Sequence, residues 1–279
     1  MAQNIKPKKR LGQNFLAQTG VIQKLAAAAG IRPGQAVLEI GPGTGNLTEQ
    51  LAKTGNKIIG VEKDREMIPG LKQRFGNAGN VQIINDDALK FDETKILPPY
   101  KIAANLPFYL AAPLIRKFLE SPNPPQSLTV IVQKEVAQRI CAAPPKMNLL
   151  AAATQFYAAV KIIDYVSRGC FWPVPKVDCA ILQITPYIYE GERAAGGEPR
   201  PYGRANKKFV ANFFRIVKAG FSQPRKQLAN NLAKQLKLDK KTISKWLAAN
   251  NIDPRQRPET LPIADWIKLT QTQAIHYNG

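Results

Sequence analysis

The sequence predicts an α/β protein: a doubly wound, mostly parallel sheet with an antiparallel hairpin at one edge, followed by a small all-α domain. Three observations carry that expectation. Apolar runs of strand length alternate with segments of helical period as far as residue 132, the order that builds a parallel sheet covered on both faces. Two later runs have no obvious helix between them, which suits a hairpin. Composition then shifts at Thr185–Asn206, rich in Pro, Gly and charge, and only helical spacing follows. The chain has 279 residues, 44% of them apolar, enough for one large core and one small one. The expected divisions are a basic arm at 1–17, a ligand-binding domain at 18–187, a linker at 188–206 and a helical domain at 207–279.

The arm carries four cations and no acid (Lys6, Lys8, Lys9, Arg10), then Leu11-Gly-Gln-Asn-Phe-Leu16. It reads either as a disordered tail or as a cover over a ligand. Thr19 is placed to cap a helix that Gly30 ends. Ala36-Val-Leu-Glu-Ile40 is a continuous apolar run interrupted by one acid, the pattern of a buried parallel strand. Gly41-Pro-Gly-Thr-Gly45 follows at once, and Asn46–Ala52 has helical spacing. Gly41, Gly43 and Gly45 allow close approach of a ligand to the backbone, and the helix start offers free N–H groups. The spacing is GxGxG, not the GxGxxG of dinucleotide binders. A second strand, Lys57–Val61, ends at Glu62, where an acid can accept both hydroxyls of a ribose or stand as a surface Glu beside a structural turn. The third, Val81–Ile84, ends in Asn85-Asp86-Asp87, where an acid can accept from an adenine amino group; two adjacent acids fit a plain loop as well.

Lys101-Ile-Ala-Ala104 is a fourth strand, ending at Asn105-Leu106-Pro107-Phe108. Proline fixes its own φ and holds Leu106 extended, so the strand ends in a stiff corner. Such corners lie at the edge where open α/β sheets bind ligands. The Asn105 side-chain oxygen and the Leu106 carbonyl can accept from one NH2, and Phe108 can stack on a flat ring. An ordinary turn with a core Phe fits the tetrapeptide as well. A helix over Leu110–Leu119 carries Pro113 in its first turn, where proline is tolerated. Ser127–Val132 is a fifth strand, with a helix opening at Gln133–Glu135. A helical stretch near 148–156 leads to the hairpin strands Tyr157–Ile163 and Asp178–Ile184. Between those strands, Phe171-Trp-Pro-Val-Pro-Lys176 is either a hydrophobic plug or a second stacking face.

Net charge narrows the function classes. The formal charge is +20, and residues 200–250 hold thirteen Lys/Arg against one acid, Asp239. That excess of one sign is the footprint of a phosphate backbone. Lys207, Lys208, Arg225 and Lys226 are the cations expected to meet RNA. Beyond the linker the spacing is helical, with Phe209, Phe213, Ile216 and Val217 on one face and then Leu228, Leu232 and Leu236, and Gln223–Leu232 reads as a helix with Pro224 at its start. Cys141, Cys170 and Cys179 form no CxxC and leave one unpaired, so reduced thiols, a cytoplasmic protein and no metal are expected. The single histidine, His276, lies far from the glycine turn in sequence, which disfavours catalysis through an imidazole base. The first residues show no secretory h-region, and no run nears the ~18 apolar residues of a membrane span.

Taken in order, these stretches resemble the ribosomal RNA adenine dimethyltransferase family, which acts on two adjacent adenines near the 3′ end of small-subunit (16S) RNA. The resemblance rests on Leu11-Gly-Gln-Asn-Phe-Leu16, Leu38-Glu-Ile-Gly-Pro-Gly-Thr-Gly45, Glu62, Asp86-Asp-Ala88 and Asn105-Leu-Pro-Phe108. Gln133-Lys-Glu-Val-Ala137, Phe171-x-Pro-x-Pro-Lys-Val177 and Gln223-Pro-Arg-Lys-Gln-Leu228 complete it. It implies a Rossmann-like methyltransferase domain, S-adenosylmethionine as methyl donor and a 30S precursor as partner; a monomer is expected, though the sequence leaves oligomeric state open. It implies that Asn14 and Leu16 close over the donor, Gly41 and the loop to Gly45 hold its methionine part, Glu62 its ribose and Asp87 its adenine, with Asn105 beside the methyl. Phe108 and Phe171 are then the faces that stack on the target base. Phe108 stands where many members carry Tyr, and Cys179 where a Ser is common.

Two rival readings share the fold: a large-subunit rRNA adenine methyltransferase of the antibiotic-resistance type, and an RNA-binding assembly factor without catalysis. The Leu of Asn-Leu-Pro-Phe and the long basic carboxyl domain favour the small-subunit reading by resemblance. The intact glycine loop, Glu62 and Asn105 argue against the second. A nicotinamide-dependent oxidoreductase is disfavoured by the GxGxG spacing.

Overall fold

The computed structural model describes residues 6–189, 199–200 and 207–277. Five strands follow the expected runs: β1 (Ala36–Ile40), β2 (Ile58–Glu62), β3 (Val81–Asn85), β4 (Tyr100–Asn105) and β5 (Leu128–Gln133). The hairpin adds β6 (Ala158–Val166) and β7 (Cys179–Pro186). Their order across the sheet is β3-β2-β1-β4-β5-β7-β6. Pairings among β1 to β5 are parallel, whereas β7 runs antiparallel to both β5 and β6. The doubly wound sheet with an antiparallel edge is therefore as the sequence predicts. The chain reverses its winding between β1 and β4, the switch point at which such sheets open a crevice.

Burial explains why these runs became strands. All five residues of β2 are buried, as are four of the five in β1 and five of the six in β5. A strand covered on both faces needs apolar side chains at consecutive positions, not alternate ones. β3, at the sheet edge, is only partly covered. Helix α1 (Thr19–Ala28) and α2 (Asn46–Ala52) supply Ile22, Leu25, Leu47 and Leu51, which pack with Val37, Ala103, Ile131 and Ile181 from the sheet. Gln18, not Thr19, is the residue preceding α1, and no side chain caps that helix. Helix α3 (Ile68–Phe75) links β2 to β3, α4 (Ala111–Glu120) links β4 to β5, and α5 (Lys134–Ile140) follows β5. Pro113 sits in the first turn of α4, as expected.

The chain divides into two units, and one division differs from the sequence boundaries. Residues 139–157, inside the span expected for the first domain, group with the carboxyl helices. They hold α6 (Leu149–Tyr157), whose Phe156 stacks on Phe213 of α7 (Lys207–Gly220) with ring centres 4.0 Å apart. Met147 N–H also donates to the Glu259 carbonyl at 3.0 Å. Helices α8 (Leu228–Leu236), α9 (Lys240–Ala249) and α10 (Ile263–Tyr277) complete this unit around buried Trp246 and Trp266. Asp239, the one acid in the basic stretch, caps α9 by accepting from Thr242 N–H at 2.9 Å. The expected linker, 188–206, lies outside the described residues apart from the paired Ile188–Tyr189 and Pro199–Arg200.

One helix start needs correction. The sequence suggests that α8 begins at Pro224, but it begins at Leu228, and residues 221–227 form a succession of turns. Gln227 is extended (φ −61°, ψ 145°), which ends the turns and opens the helix. The buried side chain of Asn231 holds them by donating to the Gly220 and Gln223 carbonyls at 2.7 and 2.9 Å.

Candidate active site

The carboxyl ends of β1, β2 and β4 meet in one crevice, with the segment Leu11–Phe15 along its rim. Gly41 and Gly43 line it from the loop after β1. Both have positive φ, +68° and +56°, a region that side chains rarely adopt. A Cβ on Gly41 would point into open space, so a ligand can approach that backbone. A Cβ on Gly43 would lie 2.9 Å from the Phe15 ring. Gly45 plays a different part from the one expected. It does not line the crevice, and its bare Cα admits Phe75, 2.7 Å from where a Cβ would stand. It also precedes α2, in the left-handed region.

Glu62 sits at the end of β2 and is 6% exposed. Its two oxygens accept from Gly43 N–H at 2.9 Å and from Asp64 N–H at 2.7 Å. It thus ties the glycine loop to the turn after β2 and keeps one further lone pair on each oxygen. Burial raises its pKa, opposed by those N–H bonds. Asp87 lines the same crevice beyond β3. Its carboxylate pairs with Lys63 at 2.8 Å and accepts from Leu89 N–H at 3.0 Å. The Lys63 bond holds its pKa below the usual carboxylate range, so Asp87 is an ionised acceptor at neutral pH.

At the end of β4, Leu106 N–H donates to the Ile131 carbonyl at 3.2 Å, and the next residue, Pro107, has no N–H to continue the ladder. The corner predicted from the sequence is present, with Phe108–Leu110 in a single tight turn. Asn105 Nδ2 donates to the Asn14 carbonyl at 2.8 Å. A carbonyl accepts only from the amide's NH2 end, so this bond fixes which way the side chain faces and frees its Oδ1. Phe108 is half-buried and lines the crevice, as do Tyr109 and Lys63, two neighbours that sequence reasoning did not single out. Each directly follows a residue that the sequence did single out, Phe108 and Glu62, the local signal that could have found them.

Two expected contacts take another form. Leu16 is buried in the core and does not line the crevice; its carbonyl accepts from Asn46 Nδ2 at 3.2 Å. Phe171 is 2% exposed and lies in the same core cluster, so its ring presents no open face to a base. The reason is a two-residue ladder, with Phe15 opposite Trp172 and Leu16 opposite Phe171. Side chains alternate along a strand, so one pair turns inward and the other outward. Phe15 and Trp172 are the outward pair, stacked with ring centres 6.2 Å apart, and Trp172 is half exposed.

The four cations expected to meet RNA are all exposed. Lys207 and Lys208 open α7, while Arg225 and Lys226 lie in the turns before α8. Among the described residues none of the four forms an ion pair. Two lysines at a helix start oppose the helix dipole, a local cost that a phosphate ligand would offset.

The glycine loop, Glu62, Asp87 and the fixed Asn-x-Pro-aromatic corner meet in one crevice of this sheet, an arrangement suited to a methyltransferase. The chain belongs to the ribosomal RNA adenine dimethylase family, whose model matches residues 4–273. It is 39% identical to ribosomal RNA small subunit methyltransferase A of Dehalococcoides mccartyi strain CBDB1, covering 95% of this chain and 88% of the relative. It is 36% identical to the protein of that name from Clostridioides difficile strain 630, covering 96% and 91%. In fold it is similar to a dimethyladenosine transferase from Plasmodium falciparum (TM-score 0.75, 24% identity, 94% of this chain and 98% of that one). It is also similar to the 23S rRNA methyltransferase ErmE (TM-score 0.72, 24% identity, 92% and 98%). Among the described residues no helix is long and apolar enough to cross a membrane, and no group of His, Cys, Asp and Glu is arranged for a metal.

Proposed function

We propose that this protein uses S-adenosylmethionine to dimethylate the exocyclic amines of two adjacent adenosines in the 3′-terminal hairpin of small-subunit ribosomal RNA, acting as a monomer on the 30S precursor. The observation that carries the reading is the Asn105 amide, oriented by the Asn14 carbonyl at the crevice corner and followed by Pro107 and Phe108. The curated relatives named as small-subunit methyltransferases favour this substrate.

The crevice suits a nucleoside donor. The open side of Gly41 takes a ligand against the backbone, and the free lone pairs of Glu62 suit a ribose diol. Asp87, ionised, accepts from an adenine amino group. S-Adenosylmethionine supplies an electrophilic methyl group on a sulfonium. The chain's own residues supply alignment. Asn105 Oδ1 and the Leu106 carbonyl accept the two hydrogens of the target amine, drawing its lone pair out of the ring. Phe108 stacks on the base, which must leave its strand to enter. Fixing two reactants in line accounts for most of the acceleration expected here. No imidazole is needed, because the proton lost from the methylated amine is acidic enough to pass to water.

Labelled methyl transfer to separated 30S and 50S precursors from a strain with unmodified adenines, followed by mapping, tests the reading. Label in the 3′-terminal adenosines of the 30S RNA is expected; label confined to the 50S RNA overturns it. The helical unit gives a second expectation. Neutralising Lys207, Lys208, Arg225 and Lys226 to Gln should weaken RNA binding and reduce the slope of log K against log salt by as much as about 3. An unchanged slope removes those side chains from the RNA surface.

A further inference from the structure

We infer that Asp64 is a positioning residue for the reaction proposed above: it ties down the amino-terminal arm, and through the arm it sets the orientation of the Asn105 amide. This rests on that reading for its chemistry, but not for its geometry. Asp64 lies in the turn after β2 and is 4% exposed. Its Oδ1 accepts from Lys8 Nζ at 2.7 Å and from Glu66 N–H at 3.1 Å, and its Oδ2 accepts from Gln13 Nε2 at 2.7 Å. Gln13 Oε1 in turn accepts from Lys8 N–H at 2.7 Å. Lys8 makes a second ion pair with Glu66 at 2.8 Å. The six residues Lys8–Gln13 of the arm are thereby closed into a loop on one buried carboxylate. Both ends of the loop are held by charge-assisted bonds, which are the stronger kind.

The residue after Gln13 is Asn14, whose carbonyl takes the Asn105 amide hydrogen at 2.8 Å. One residue before Gln13, Gly12 lies against Tyr109, leaving 3.1 Å between that ring and the site of a Cβ. The arm thus touches the catalytic corner on both sides of its tether. Asp64 is connected to the donor site as well, since its backbone N–H donates to Glu62. That bond does not depend on the Asp64 side chain. Loss of the carboxylate therefore releases the arm and leaves Glu62 held. Without a fixed Asn14 carbonyl, the Asn105 amide can turn its NH2 towards the target amine, where donor would face donor.

Asp64→Asn places an NH2 against either Lys8 or Gln13 and breaks one tether. The arm-side variant, Lys8→Met with Gln13→Leu, breaks both without touching the sheet. Hydrogen exchange over residues 8–16, thermal unfolding, and kcat and KM for the donor with small-subunit particles separate the possibilities. Faster exchange confined to the arm is expected in both variants, with unchanged unfolding. The kcat is expected to fall about 10- to 100-fold, with KM for the donor changed no more than a few-fold. The combination of all three substitutions should be no worse than the arm-side variant, because they act along one path. Arm exchange as slow in Asp64→Asn as in the unaltered chain overturns the inference whatever the activity. So does wild-type kcat with a released arm, or a fully additive loss in the combined variant. If the unaltered chain transfers no methyl group to any ribosomal RNA, the proposed function fails, and the exchange measurement still decides whether Asp64 holds the arm.

Discussion

Asn105→Ala is expected to lower methyl transfer by at least about 10³-fold while RNA affinity and donor affinity stay within a few-fold of the original. The side chain is fixed in orientation by the bond that its Nδ2 donates to the Asn14 carbonyl of the arm. It supplies an acceptor that matters when the amine's lone pair must be freed, an interaction gained in the transition state and not in binding. Single preorganised polar groups of that kind are worth about 10²–10³ in rate, and this one also sets the line of approach. Alanine leaves no buried orphan other than the Asn14 carbonyl, so the fold should persist. Single-turnover transfer of labelled methyl, alongside equilibrium binding of RNA and of S-adenosylhomocysteine, measures the separation. Turnover equal to the original would remove Asn105 from the chemistry, and a collapse of RNA affinity would recast it as a binding residue.

Glu39→Gln is expected to change the pH dependence of stability more than any surface substitution. Glu39 lies within β1, is 1% exposed, and has Oε2 without a hydrogen-bond partner. Burial first, and the neighbouring Glu62 carboxylate with it, push its pKa up to about 8 from 4.5. The sign follows from linkage. Between those two pH values the folded chain keeps a proton that the unfolded chain has released. The Glu39 contribution to stability is therefore fully present below about pH 4.5, falls by about 1.4 kcal/mol per unit as pH rises, and levels off above about pH 8. Glutamine has nearly the same shape and no charge, so the variant should match the original at pH 4.5 and exceed it by a few kcal/mol at pH 8.5. Urea unfolding of both chains across that range tests this. Parallel curves would mean that Glu39 is ionised and satisfied in the fold.

Much of the crevice was legible because its parts are local. A strand that must be apolar at successive positions, a glycine turn after it, and an acid at the end of the next strand are patterns of a few residues each. Gly41, Gly43, Glu62, Asp87 and Asn105 all fall where those patterns place them. What escaped depends on partners far away in sequence. Asp64 looks like one acid among several in Glu62-Lys-Asp-Arg-Glu66, and only the approach of Lys8 and Gln13, more than fifty residues earlier, gives it a role. The charge of Lys8 was visible, but its destination was not. Phe171 and Trp172 differ by one position, and a two-residue ladder decided which ring is buried.

The sequence by itself determined the order of strands and helices, the stiff corner at Pro107 and the surplus of cations beyond residue 200, because apolar period, proline geometry and charge are properties of neighbouring residues. The tertiary structure alone decided that α6 belongs with the carboxyl helices, that α8 starts at Leu228, and that the arm is tied to Asp64. Those outcomes depend on ring packing, on Asn231 reaching two carbonyls, and on a buried carboxylate finding its donors. Each is a contact between segments that the chain brings together only on folding.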